Sequence, residues 1–179
     1  MSAHPKPSSG ATLPAISTPI LRVQAGTHHD PFEVLGIHAQ PNGDILIRAF
    51  LPAAEAVELA ATGARMTRVA GTDCFELSLP PGSAVDAHPL LRWQDKGRGE
   101  WHVTRCPYSF GPQLGEMDLY LIGEGRHLEA WKVLGARLKV VDGVAGCLFA
   151  VWAPAVQRVS IVGDFNEWDG RRHPMRCRG

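Results

Sequence analysis

Chemistry in this chain is concentrated near its end. Val159-Ser160-Ile161-Val162 has the composition of a strand, and Gly163-Asp164-Phe165-Asn166-Glu167-Trp168-Asp169-Gly170 follows directly. The strand pattern stops at a glycine, and turn formers with two large aromatics come next. An indole on a polar loop suits a sugar. The apolar face of a pyranose stacks on the ring while amide and carboxylate groups bond the hydroxyls. Trp168 is the expected carbohydrate platform. Asn166 is the second candidate, although an asparagine at this point also suits a turn residue that bonds the backbone. Trp152 alternates with Val151 ahead of Ala153-Pro154 and reads as core. Trp93 and Trp101 fall on successive predicted strands and are expected to pair across them.

No catalytic constellation can be assembled elsewhere. His28, His29 and His38 with Asp30 offer metal-binding side chains, but Asp30 is placed to cap a helix, so no metal is expected. Asp86 and His88 lie in a proline-flanked loop with no nucleophile marked nearby, and Glu124 and Glu129 read as surface charges. Cys74, Cys106, Cys147 and Cys177 are widely spaced, with no Cys-x-x-Cys pair. Free thiols in a reducing cytoplasm are expected, and nothing implies a cofactor.

The chain has 179 residues, with 18 Lys+Arg against 18 Asp+Glu. A net charge of zero gives no drive toward nucleic acid or an anionic membrane, and a neutral polysaccharide fits this balance. Arg171-Arg172 reads as a solvated turn. The polar, proline-rich start lacks the apolar core of a signal peptide. The apolar run from Leu13 to Val23 is broken by Pro14 and Pro19 and is too short to span a bilayer.

The elements needed to position the loop can be read in turn. Residues 1–26 are expected to form a disordered tail. Asp30-Pro31-Phe32-Glu33 then opens a short helix, with Gly36 at its left-handed exit and Phe32 and Leu35 facing a core. Asp44 to Leu51 alternates, with Ile45, Ile47, Ala49 and Leu51 pointing one way. Further short strands are expected at Ala56–Ala60, Arg65–Val69, Cys74–Leu79, Leu90–Gln94 and Glu100–Thr104, separated by turn signals. This spacing predicts an all-β, immunoglobulin-like sandwich over 27–111. A helical connector follows over 112–135, with Leu114, Met117 and Leu121 on one face. A second β-domain is expected over 136–179, with Val140-Val141, a turn at Asp142-Gly143, Val144 to Trp152, and Val159–Val162 as its next strand. Some 44 residues are available there, against about 100 for a complete sandwich. The second sandwich is therefore expected to be incomplete.

Several blocks also resemble one family in order. They are Asp30-Pro31-Phe32-Glu33-Val34-Leu35-Gly36-Ile37-His38, Pro107-Tyr108-Ser109-Phe110-Gly111-Pro112, Gly123-Glu124-Gly125-Arg126-His127-Leu128, Leu134-Gly135-Ala136 and Phe149-Ala150-Val151-Trp152-Ala153-Pro154, then the run from Val162 to Arg176. Together they resemble the N-terminal part of bacterial 1,4-alpha-glucan (glycogen) branching enzymes. The last block alone resembles the wider glycogen-binding modules of amylolytic enzymes. Cys106 departs from the family, which more often carries aspartate before Pro-Tyr. The resemblance implies an enzyme that cleaves α-1,4 links and forms α-1,6 branches in glycogen biosynthesis. Its retaining chemistry would run on two carboxylates at the C-terminal loops of a catalytic barrel. No catalytic residue is expected in this chain, and the segment by itself is expected to be inactive. The implied partners are α-glucan, as glycogen or maltooligosaccharide, and the catalytic barrel in cis. Trp168 could bind sugar or dock on that barrel. The alternative is a glucan-binding or protein-interaction β-sandwich module with no enzymatic role.

Overall fold

The computed structural model describes residues 16–178. Most of the expected tail, up to position 15, lies outside the described residues. The rest of that expectation is corrected. Thr18–Ala25 is a helix, α1, closed by Gly26 in the left-handed conformation at φ 65°. Pro19 sits in its first turn, where no intrahelical donor is required, so the proline that suggests disorder instead helps start the helix. Ile20 and Val23, three residues apart, join the hydrophobic core. Gln24 fixes the helix to the next layer: its Nε2 donates to Asp73 Oδ2 at 3.1 Å, and Asp73 N donates back to Gln24 Oε1 at 2.7 Å.

Seven antiparallel strands form two sheets. They are β1 (Gly36–Ala39), β2 (Ile45–Phe50), β3 (Ala54–Leu59), β4 (Thr67–Arg68), β5 (Cys74–Leu79), β6 (Leu90–Asp95) and β7 (Trp101–Arg105). One sheet runs β1-β2-β5-β4 and the other β3-β6-β7. The buried faces supply Ile47 and Ala49 from β2, Val57 from β3, Phe75 from β5 and Leu91 from β6. This is the all-β sandwich that alternation predicts. Asp30 caps only a 3-10 turn, Pro31–Glu33, accepting from Phe32 N at 2.9 Å. Leu35 is fully buried behind it. Gly36 has φ 101°, and a Cβ there would lie 2.5 Å from the carbonyl oxygen of Tyr108. Strand β1 can therefore enter the sheet only through a glycine.

Beyond the sandwich, α2 (Glu116–Gly123) carries carboxylates in its first turn, but its expected apolar face is not the buried one. Met117 is exposed and Ile122 is buried. β8 (Gly135–Val141) and β9 (Val144–Ala150) then pair in full register. Asp142 and Gly143, at φ 50° and 79°, make the two-residue turn. The turn is tethered to the sandwich, because His88 Nε2 lies 3.0 Å from Asp142 Oδ2. The expected strand Val159–Val162 does not form a ladder. Ser160 makes one isolated bridge to Pro174, flanked by Ile161 N to His173 O at 3.0 Å and Met175 N to Val159 O at 2.9 Å. Pro174 has no N–H to donate, which interrupts the pairing.

Candidate functional site

The loop after Val162 is a compact knot of local bonds. Asp164–Asn166 forms a 3-10 turn, and Gly163 O accepts from both Asn166 N and Trp168 N at 3.1 Å. Glu167 and Trp168 both take positive φ, 56° and 59°. Two consecutive non-glycine residues in that region are held only where surrounding bonds fix them. They turn the indole outward. Trp168 is 66% exposed, and its Nε1 donates to Asp164 Oδ1 at 2.9 Å. The ring edge is thus fixed while its face stays open, the arrangement a stacking platform needs.

Asn166 is placed differently. Its relative exposure is 0%. Its Oδ1 accepts from Gly163 N at 2.9 Å, and its Nδ2 donates to Ile161 O at 2.8 Å and lies 3.0 Å from His173 Nδ1. Three of the amide's four hydrogen-bonding positions are used inside the loop and the side chain is fully covered, so Asn166 is not available to a sugar hydroxyl. It builds the site without lining it. Phe165, which sequence reasoning did not single out, is 61% exposed. Its ring stands edge-on to His173, with centroids 5.4 Å apart and planes at 69°.

Two other aromatic expectations are corrected. Trp152 is half exposed, not core. It lies just past the end of β9, where strand alternation no longer governs direction. Trp93 pairs with His102 across β6 and β7, and Trp101 pairs with Gln94. The two tryptophans therefore point to opposite faces. His102 stacks on Trp93 at 4.5 Å, while the Arg92 guanidinium covers Trp101 at 4.5 Å.

The pair Arg171-Arg172 is not a solvated turn. Arg171 forks onto Asp169, with Nε to Oδ1 at 3.0 Å and Nη2 to Oδ2 at 2.7 Å, and holds that carboxyl below the usual range. The Arg172 side chain is mostly buried, 5.8 Å over the Trp93 ring, and its carbonyl accepts from the Tyr108 hydroxyl at 2.8 Å. Arg176 lies 3.9 Å over Phe32. These arginines seat the aromatic loop on the first sandwich. Between the loop and the β6–β7 hairpin is a cleft of about 480 Å³.

Cys74 and Cys106 are buried, and burial pushes both thiols up to about 11. They remain protonated and serve as packing groups. No helix among the described residues is long and apolar enough to cross a membrane.

The architecture first defines a class: an all-β sandwich followed by a second β-segment that presents an aromatic loop. Residues 17–108, just over half the chain, match the family described as alpha-1,4-glucan branching enzyme GlgB, N-terminal domain, and the chain belongs to that family. Residues 133–179 match the family described as carbohydrate-binding module 48 (isoamylase N-terminal domain). The chain is 74% identical over 172 residues to the 1,4-alpha-glucan branching enzyme GlgB of Thiobacillus denitrificans, covering 96% of this chain and 23% of that protein. It is 49% identical over 172 residues to the enzyme of the same name from Methylococcus capsulatus, with the same coverage. To that of Cellvibrio japonicus it is 44% identical over 173 residues, covering 92% of this chain and 23% of the relative. The chain thus spans about a quarter of the length of these curated relatives.

Proposed function

We propose that this chain is a non-catalytic part of a cytoplasmic 1,4-alpha-glucan branching enzyme that positions α-glucan for a catalytic barrel in cis. The observation that carries the reading is Trp168, an open indole face on a loop whose edge and backbone are fixed. The name of the relatives, 1,4-alpha-glucan branching enzyme, supplies the glucan, and the carbohydrate-binding family spans the loop. Cleavage of α-1,4 links and formation of α-1,6 branches, in the manner of a retaining glycoside hydrolase, belong to the barrel. The 179-residue chain is expected to leave amylose unchanged, as followed by the iodine complex and by reducing ends.

One stacked indole contributes about 1–2 kcal/mol, while association costs several kcal/mol of lost freedom. Affinity for maltoheptaose is therefore expected in the millimolar range, and Trp168→Ala should weaken it. A second reading is supported by the apolar surface of the β8–β9 hairpin, where Leu138 and Val140 are exposed, as is Trp152 just past the end of β9. On that reading Trp168 docks against further protein. If Trp168→Ala leaves glucan affinity unchanged but destabilises the full-length enzyme, the platform reading fails and docking stands.

A further inference from the structure

The cleft beside the loop contains groups that the sandwich does not use. Its volume, about 480 Å³, falls within the ~300–1,000 Å³ of small-ligand sites. Several of its lining groups are already committed. Trp93 is covered by His102 and Arg172. Asp95 Oδ1 accepts from Arg98 N at 2.6 Å and Gly99 N at 2.8 Å. Lys96 Nζ donates to Pro52 O at 2.6 Å and Asp73 Oδ1 at 3.1 Å. Three groups remain open. The Phe165 ring is steadied by its T-shaped contact with His173 and is 61% exposed. The Glu167 side chain is 69% exposed, with a long 3.8 Å ion pair to Arg172. The Arg98 guanidinium has no partner among the described residues.

The lining charges cancel, with Lys96, Arg98 and Arg172 against Asp95, Asp164 and Glu167. A phosphate or an acidic peptide would find no net attraction there. An aromatic ring and a largely exposed acceptor on the loop wall, facing an unpaired donor on the hairpin wall, suit a neutral polyhydroxyl ligand. Asp164 lines the cleft and also holds the Trp168 indole, so the two surfaces are continuous.

We propose that this cleft is a second α-glucan subsite, shared between the first sandwich and the loop. Phe165 is its stacking ring, Arg98 and Glu167 bond the hydroxyls, and the bound chain runs on toward Trp168. The inference rests on the proposed glucan reading and adds that the first sandwich contributes directly to binding.

The test is a nuclear magnetic resonance titration of the whole 179-residue chain with maltotriose and maltoheptaose. The backbone amides of Lys96–Gly99 and Phe165–Glu167 are expected to shift together with the Trp168 indole N–H. Arg98→Ala and Phe165→Ala should each weaken maltoheptaose binding about three- to tenfold. Unaltered shifts for β2 and β5 would show that each variant keeps its fold. A response at the Trp168 indole alone overturns the cleft and leaves the platform standing. A response in the cleft without the indole supports the subsite and removes the platform. Silence at both sites overturns both. Cleft shifts of equal size with inorganic phosphate overturn the neutral-ligand assignment.

Discussion

Asn166 and His173 act as one unit at the base of the loop. Asn166 Nδ2 is a donor, so the His173 Nδ1 it faces at 3.0 Å must be the unprotonated nitrogen. Burial lowers the His173 pKa to about 4, with the Arg172 charge adding to the effect. The unfolded chain titrates at the ordinary value near 6.5 and therefore binds more protons than the folded chain between about 4 and 6.5. The contribution of His173 to stability is complete above the unfolded value and is lost as pH falls through about 4. A proton titration of the ring should show a midpoint near 4. The urea midpoint of the wild type should fall more steeply from pH 7 to pH 4 than that of His173→Gln. Asn166→Ala strands the Gly163 N–H and the Ile161 carbonyl and is expected to cost about 1–3 kcal/mol in the same measurement. The polar loop with its tryptophan was legible in sequence. The burial of Asn166 was not, because its partners include His173, seven residues away across a turn, and only the folded loop shows that both are covered.

At the scale of elements, β5 coincides with its sequence pattern and β2 falls within it, since each is an apolar-rich run bounded by turn signals, although neighbouring residues on both faces are buried where the two strands pair at Ala49-Phe50 and Cys74-Phe75. Strand β1 was hidden because Gly36-Ile37-His38-Ala39 is short and starts where a helix exit is also plausible. Helix α1 was hidden because its two buried residues gain a core only from the sandwich above them. The β8–β9 hairpin has the opposite character: its register is complete, yet Leu138 and Val140 face solvent. A two-stranded hairpin without a covered face is marginal in water. Hydrogen exchange should therefore be slowest at amides such as Ile47 and Phe75. It should be faster by orders of magnitude across Leu138–Cys147 and at Ile161. Equal protection in the two regions would show that the hairpin is stabilised by more than its own ladder and the His88–Asp142 tether.

Across the whole molecule, the second β-segment is joined to the first sandwich mainly by arginines on aromatic rings, and Arg176 is the clearest case. Its guanidinium lies 3.9 Å over Phe32 and 3.7 Å from Asp30, and its side chain is only 19% exposed. Two effects could dominate there. A partly covered cation–π contact is worth about 1–2 kcal/mol, and a long surface-type ion pair about 0–1 kcal/mol. The stacked contact is the larger, and it needs a planar, weakly hydrated cation that lysine cannot supply. Arg176→Ala should therefore lower stability by about 1–2 kcal/mol, and Arg176→Lys should lose most of the same amount. Raising the salt to about 0.5 M should change the wild type little, since short-range stacking is not screened as an exposed ion pair is. Full recovery by lysine, or a large salt effect, would instead assign the joint to Asp30. The same substitutions report on function, because an unseated loop widens the cleft on its Phe165 side. Glucan affinity should fall with Arg176→Ala even though Arg176 touches neither the cleft nor Trp168.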